Sequence, residues 1–136
     1  MKIFTKLFSL LLLFLLTGPA LAALPPLDDS QRHRDSNQVV QGEIRAIYSR
    51  KVKNREEYVN LESVLEIHIT GFEKGSLKIG SVIYAHCWNI ETRPQRWVGD
   101  GGQRPRPGTG HTGTFYLSTS PAGVHILLHP NGWDRD

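Results

Sequence analysis

The chain reads as an all-β domain, a small closed or nearly closed barrel of five strands, on three observations. Apolar and polar residues alternate with a period of two through several separate segments between Gln38 and His129. No segment after Ala22 shows the 3.6-residue periodicity that would predict an amphipathic helix. A long irregular connection over 91–113, rich in glycine and proline, separates three early strands from two short late ones. Curling such strands into a cylinder removes the open edges that a flat sheet of this size would leave.

The segment before the barrel is an export address. Lys2 and Lys6 precede an almost unbroken apolar run from Leu7 to Leu16, followed by Gly18-Pro19 and the small-residue site Ala20-Leu21-Ala22. The apolar run is shorter than the ~20 residues that a spanning helix needs, so a signal peptide over 1–22 is expected, cleaved after Ala22. The mature protein is then secreted or periplasmic, with no stable membrane insertion. Lys2 and Lys6 also account for most of the charge excess. Without them the Lys+Arg total falls from 16 to 14 against 13 acidic residues, leaving +1 instead of +3. That near-neutral balance disfavours nucleic acid and polyanions in general as partners. The 114 residues from Ala23 onward suffice for one modest core. The sole cysteine, Cys87, cannot close an internal disulfide and is expected as a small buried hydrophobe.

Residues 23–37, with two adjacent prolines and no periodicity, are expected to form a flexible leader, and 38–133 the barrel. Strand one runs from Gln38 to Tyr48, with Val40, Gly42, Ile44, Ala46 and Tyr48 on one face and Gln41, Glu43 and Arg45 on the other. A charged stretch over 49–56 reads as a solvated hairpin loop. Strand two is the clearest: Val59, Leu61, Leu65, Ile67 and Ile69 share one parity, and Asn60, Glu62, Glu66, His68 and Thr70 the other. Glycines 71, 75 and 80 predict a bend and a turn. Strand three, Ser81 to Ile90, places Val82, Tyr84, His86 and Trp88 on one face and Ile83, Ala85 and Cys87 on the other, which predicts a strand that is central or covered on both sides. Two short strands follow, Thr114 to Thr119 and Val124 to His129, joined by a turn at Ser120-Pro121-Ala122-Gly123. The closing His129-Pro130-Asn131-Gly132-Trp133 is expected to fold Trp133 back onto the barrel.

The segments VVQGEIRAIYSR, VLEIHITGFEKGSLKIGSVIYAHCW, GTFYLST and GVHILLHPNGW resemble oligonucleotide/oligosaccharide-binding (OB) barrels of the netrin-like and TIMP-like type. They also resemble small exported bacterial proteins of unassigned function. The resemblance covers about Val39 to Trp133 and implies a five-stranded OB-like barrel with a long irregular loop between strands three and four. It does not carry over metalloprotease inhibition, which in that family uses an N-terminal cysteine. Here position 23 is alanine.

The residues best suited to recognition are in the long loop, where Arg93, Arg96, Arg104 and Arg106 surround Trp97. Guanidinium groups fork onto carboxylates, phosphates or sulfates, and an indole offers a flat face to a sugar. Gly99, Gly101 and Gly102 would let backbone amides approach a ligand. In the competing structural arrangement Trp97 plugs the barrel mouth and the arginines are solvated. The six histidines lack metal-ligand spacing, so neither a metal nor a cofactor is expected. His86 and Cys87, adjacent on a strand, point to opposite faces and cannot pair. Asp100 and Glu91 are the only loop carboxylates that could form a catalytic couple, and no nucleophile elbow is present. The sequence therefore predicts a non-enzymatic exported binding module for an anionic, glycan or protein partner. The alternatives are a small exported hydrolase or redox enzyme, and a structural envelope protein.

Overall fold

The computed structural model describes residues 24–53, 58–95 and 99–136. The export segment lies outside them, as do Asn54 to Glu57 of the first hairpin loop and Arg96 to Val98 of the long connection. The elements in chain order are α1 (Asp29–Asp35), β1 (Gln38–Lys53), β2 (Val59–Lys74), β3 (Val82–Thr92), β4 (Thr112–Thr119), β5 (His125–Leu127) and β6 (Trp133–Arg135).

Five strands close a mixed barrel in the order β1-β2-β3-β5-β4, with β4 returning to β1. All neighbours are antiparallel except β3 and β5, whose parallel contact runs through Ala85 with His125 and His86 with Ile126. This is the closed five-stranded barrel that the alternation predicts, and it is consistent with the OB-like barrel that the resemblance implies. β6 lies outside the ring, on the edge of β4 below β5, with Gly113 opposite Arg135 and Phe115 opposite Trp133. The core holds Val40, Ile44, Leu65, Ile67, Ile69, Ile83, Ala85, Phe115, Leu117, Leu127 and Trp133. The buried parity of β2 is the one the sequence shows. Trp133 does fold back: its side chain is fully buried, stacked on Phe115 at 5.6 Å, and its Nε1 donates to Pro105 O at 2.7 Å.

The structure corrects four expectations. First, the leader contains a helix. Asp28 caps α1, accepting from Gln31 N at 2.8 Å, while Gln31 Oε1 accepts from Asp28 N at 3.0 Å. Seven residues are too few for a stable isolated helix. Tertiary contact holds it, because the buried Arg32 guanidinium lies 4.5 Å over the Tyr116 ring and donates to Asp134 at 2.7 Å and to Asp29. Second, β1 does not keep one parity. A register shift between Ile44 and Ala46 turns Ile47 toward the core and Tyr48 outward. Third, strands one and two are longer than predicted. Ser49 to Lys53 pair with Ser63 to Val59 instead of looping, and the ribbon extends past the end of β4. Fourth, β3 is central, between β2 and β5, as one of the two expectations had it, but it is not covered on both sides, since Val82, Tyr84 and His86 are exposed.

Candidate ligand-binding groove

The register shift in β1 and the exposed parity of β3 combine on the outer face of the sheet. Cross-strand pairing puts Tyr48, Val64 and His86 in one row, extended by Ile126 beside His86, and Arg50, Glu62 and Trp88 in the next. Side chains of one parity face the same way, so the rows form a continuous surface. The right-handed twist that paired strands carry curves such a surface. The result is an open groove of about 720 Å³, mainly apolar, lined among others by Tyr48, Val64, Trp88, Val124 and Ile126. Tyr48 is 56% exposed and Ile126 51%. A contiguous apolar surface of this kind on a folded domain marks an interaction site.

Two polar pairs of the groove, Arg50 with Glu62 and Ser49 with Ser63, satisfy each other, whereas the buried Asn60 Oδ1 has no hydrogen-bond partner among the described residues. Arg50 donates to Glu62 Oε2 from Nε at 2.8 Å and lies 2.7 Å from it through Nη2. Trp88 stacks on His129 at 5.2 Å with the planes 16° apart. His129 in turn bonds through Nε2 to Asp100 Oδ2, and Asp100 Oδ1 accepts from Gly102 N at 3.0 Å. The buried His129 Nδ1 has no hydrogen-bond partner among the described residues. This Asp100–His129 pair braces one wall of the groove through the indole.

Beyond the other end, on the same parity of β2, stands Glu66. Its Oε1 accepts from Tyr48 Oη at 3.3 Å and from Tyr84 Oη at 3.2 Å, so one carboxylate ties together β1, β2 and β3. The hydrogen bond to Glu66 raises the pKa of the Tyr84 phenol above its ordinary value, because losing the proton would set two anions side by side. Cys87, which contributes to the groove's lining, is half-buried against the core, and desolvation pushes its thiol up to about 11. His86 is on the exposed face, as the alternation requires, away from that thiol.

Of the loop residues singled out from the sequence, the described arginines Arg104 and Arg106 have different partners. Arg93 is exposed immediately after β3, and Arg96 and Trp97 lie outside the described residues. Arg104 donates through Nη2 to Leu24 O at 2.6 Å, which fastens the segment before α1 to the loop. Arg106 sits 3.5 Å from Glu91, whose other oxygen is 3.7 Å from Lys51. With Pro107 it lines a separate cavity of about 110 Å³ at the inner end of the ribbon, near Ile47, Leu61 and Cys87. Asp100 and Glu91 therefore have different partners and form no couple. Gly102, at φ +92°, lies so close to β3 that a Cβ there would be 2.3 Å from Trp88 O. Its freedom serves packing of the loop on β3, with Asn89 bridging to it.

Sequence reasoning missed Tyr48, Val64, Glu66, Tyr84 and Ile126 as site residues. The signal is present in the Val82-Tyr84-His86-Trp88 parity, which is equally compatible with a central strand and with one covered on both faces. Comparison with family models, with curated proteins and with solved structures finds no match for the chain. Its class thus rests on architecture: a five-stranded OB-like barrel carrying an open aromatic and aliphatic groove. Among the described residues, no helix is long and apolar enough to cross a membrane, and no three metal-ligating side chains gather.

Proposed function

We propose that this protein is a non-enzymatic exported binding module whose ligand lies in the groove across β1, β2, β3 and β5. The observation that supports it is the apolar, solvent-open lining of Tyr48, Val64, Trp88 and Ile126 on a rigid barrel wall. Of the ligand classes raised by the sequence, a protein segment fits best. Arg104 and Arg106 are already engaged, which weakens the case for an anion. Val64, Val124 and Ile126 would take water from sugar hydroxyls without replacing it, which leaves only the Asn60, His86 and Arg50–Glu62 end of the groove to receive a glycan. Arg93, following directly on the strand that carries Trp88, is kept as a rim contact, and Arg96 and Trp97 remain with it in the proposal. Export rests on the residue pattern of 1–22, and kinship with netrin-like and TIMP-like proteins on the four segments quoted above.

Selection of a displayed random-peptide library on the mature domain tests this reading. Enriched peptides are expected to bind at least tenfold more weakly to Tyr48→Ala and Ile126→Ser, both substitutions of exposed side chains that leave the core intact. No enrichment, or equal binding to both variants, refutes it. Protein recovered from the producing cell's envelope or medium should begin at Ala23.

A further inference from the structure

One row beyond the groove's Tyr48 and Val64, between Ala46 and Tyr84, stands an uncompensated carboxylate. Glu66 makes no ion pair with a described residue, whereas Glu62, four residues earlier on the same face, is matched by Arg50. The two carboxylates are thus about 13 Å apart along β2, on either side of Val64. Only the first is neutralised. Both hydrogen bonds received by Glu66 go to Oε1, and Oε2 takes part in neither. The two donors are tyrosines standing on the flanking strands, 56% and 50% exposed. An anionic oxygen between two exposed aromatic rings is an arrangement that attracts a cation, by charge and by the ring quadrupoles.

Resting on the groove as the binding surface, we infer that the ligand is an extended polypeptide segment placing a lysine or arginine side chain at Glu66 between Tyr48 and Tyr84. The four-carbon stem of lysine, or the three-carbon stem of arginine, would run along Val64 and the tyrosine rings while the charged head reaches Oε2. Neighbouring apolar side chains of the same segment would occupy the Val64, Ile126 and Trp88 surface. Alternation on an extended chain repeats every ~6.6 Å, so a basic residue and an apolar one two positions away match the spacing of Glu66 and Val64. A second copy of this chain fits poorly in edge-to-edge pairing along β1. There Arg45, Arg50, Lys51 and Lys53 would face their own counterparts without an acidic residue after Glu43.

Nuclear magnetic resonance titration with small blocked amino acids tests the assignment. The probes are N-acetyl-lysine methylamide, its uncharged isostere N-acetyl-norleucine methylamide, and chitotriose as a neutral sugar. The lysine probe is expected to shift Tyr48, Tyr84 and Glu66 signals and to bind about fivefold more tightly than the norleucine probe at low salt. Glu66→Gln should bring the two to equal affinity, whereas Tyr84→Phe, which keeps the ring, should retain most of the preference. Two results overturn the cation site yet leave the groove standing. One is a lysine probe unaffected by Glu66→Gln; the other is norleucine binding equally well at Val64 and Ile126. Chitotriose binding in preference to both amino acids replaces the peptide with a glycan and overturns the inference. If no probe moves any groove signal, the inference and the binding reading fall together.

Discussion

Replacing Arg32 tests whether the segment before the barrel is part of the folded domain. Its side chain is 7% exposed, although it is charged and sits on a helix of only seven residues. Asp134 lies at 2.7 Å and is 55% exposed, so solvent screening limits that ion pair to about 1 kcal/mol. Asp29, at 83% exposure, adds only a few tenths of a kcal/mol. The guanidinium over Tyr116 contributes about 1 kcal/mol, and burial of the aliphatic stem about another. Nε, buried without an acceptor, subtracts from the total. Arg32→Ala should therefore cost about 2 kcal/mol, or roughly 8 °C in Tm for a domain of this size. Arg32→Lys, which keeps charge but not the planar fork, should lose about half as much. Thermal unfolding gives the magnitude, and amide exchange over Asp29–Asp35 and Trp133–Arg135 locates it. If Arg32→Ala melts within about 2 °C of the parent and exchange in α1 is unchanged, α1 is not clamped to the barrel and the reasoning fails.

Gly113→Ala should destabilise by about 2 kcal/mol, since its Cβ would lie 2.0 Å from Asp134 O and must lift β6 off β4. The intrinsic fluorescence of Trp133 then moves to longer wavelength, and an unshifted spectrum with unchanged stability would refute the packing argument. Cys87, with its thiol pushed up to about 11, should react with iodoacetamide at pH 8 roughly 20-fold more slowly than an unperturbed cysteine. That figure allows for the lower thiolate fraction and the greater nucleophilicity of a more basic sulfur. Because the folded state holds this proton more tightly than the unfolded chain, Cys87 favours folding below about pH 9. That contribution disappears as pH rises through about 11. Cys87→Ser should flatten that alkaline loss in urea titrations, and a loss of equal size in Cys87→Ser would assign it elsewhere. The groove and its carboxylate carry the two binding tests already set out.

The alternation in Leu65, Ile67 and Ile69, and in Ile83 and Ala85, determined by itself that the chain forms strands and which of these side chains enter the core. The physical reason is local: a strand has a period of two, and burial of one face fixes its register. Cys87 was legible on the same grounds in part: it packs against the core on the parity opposite His86, but it is half-buried where the sequence predicted a buried residue. Asp28 and Gln31 carried a helix-start signal in plain sight. A seven-residue helix is nevertheless decided by what it docks against, and Tyr116 and Asp134 are more than eighty residues away. The groove was hidden for a similar reason. One extra residue in β1 reverses the facing of Tyr48, and no periodicity can show a register shift that depends on the partner strand. Whether Tyr84 and His86 meet solvent or another layer likewise depends on what packs over β3. Only the closed ring of strands, with its loop drawn in by Gly102, Gln103 and Pro105, left that face open.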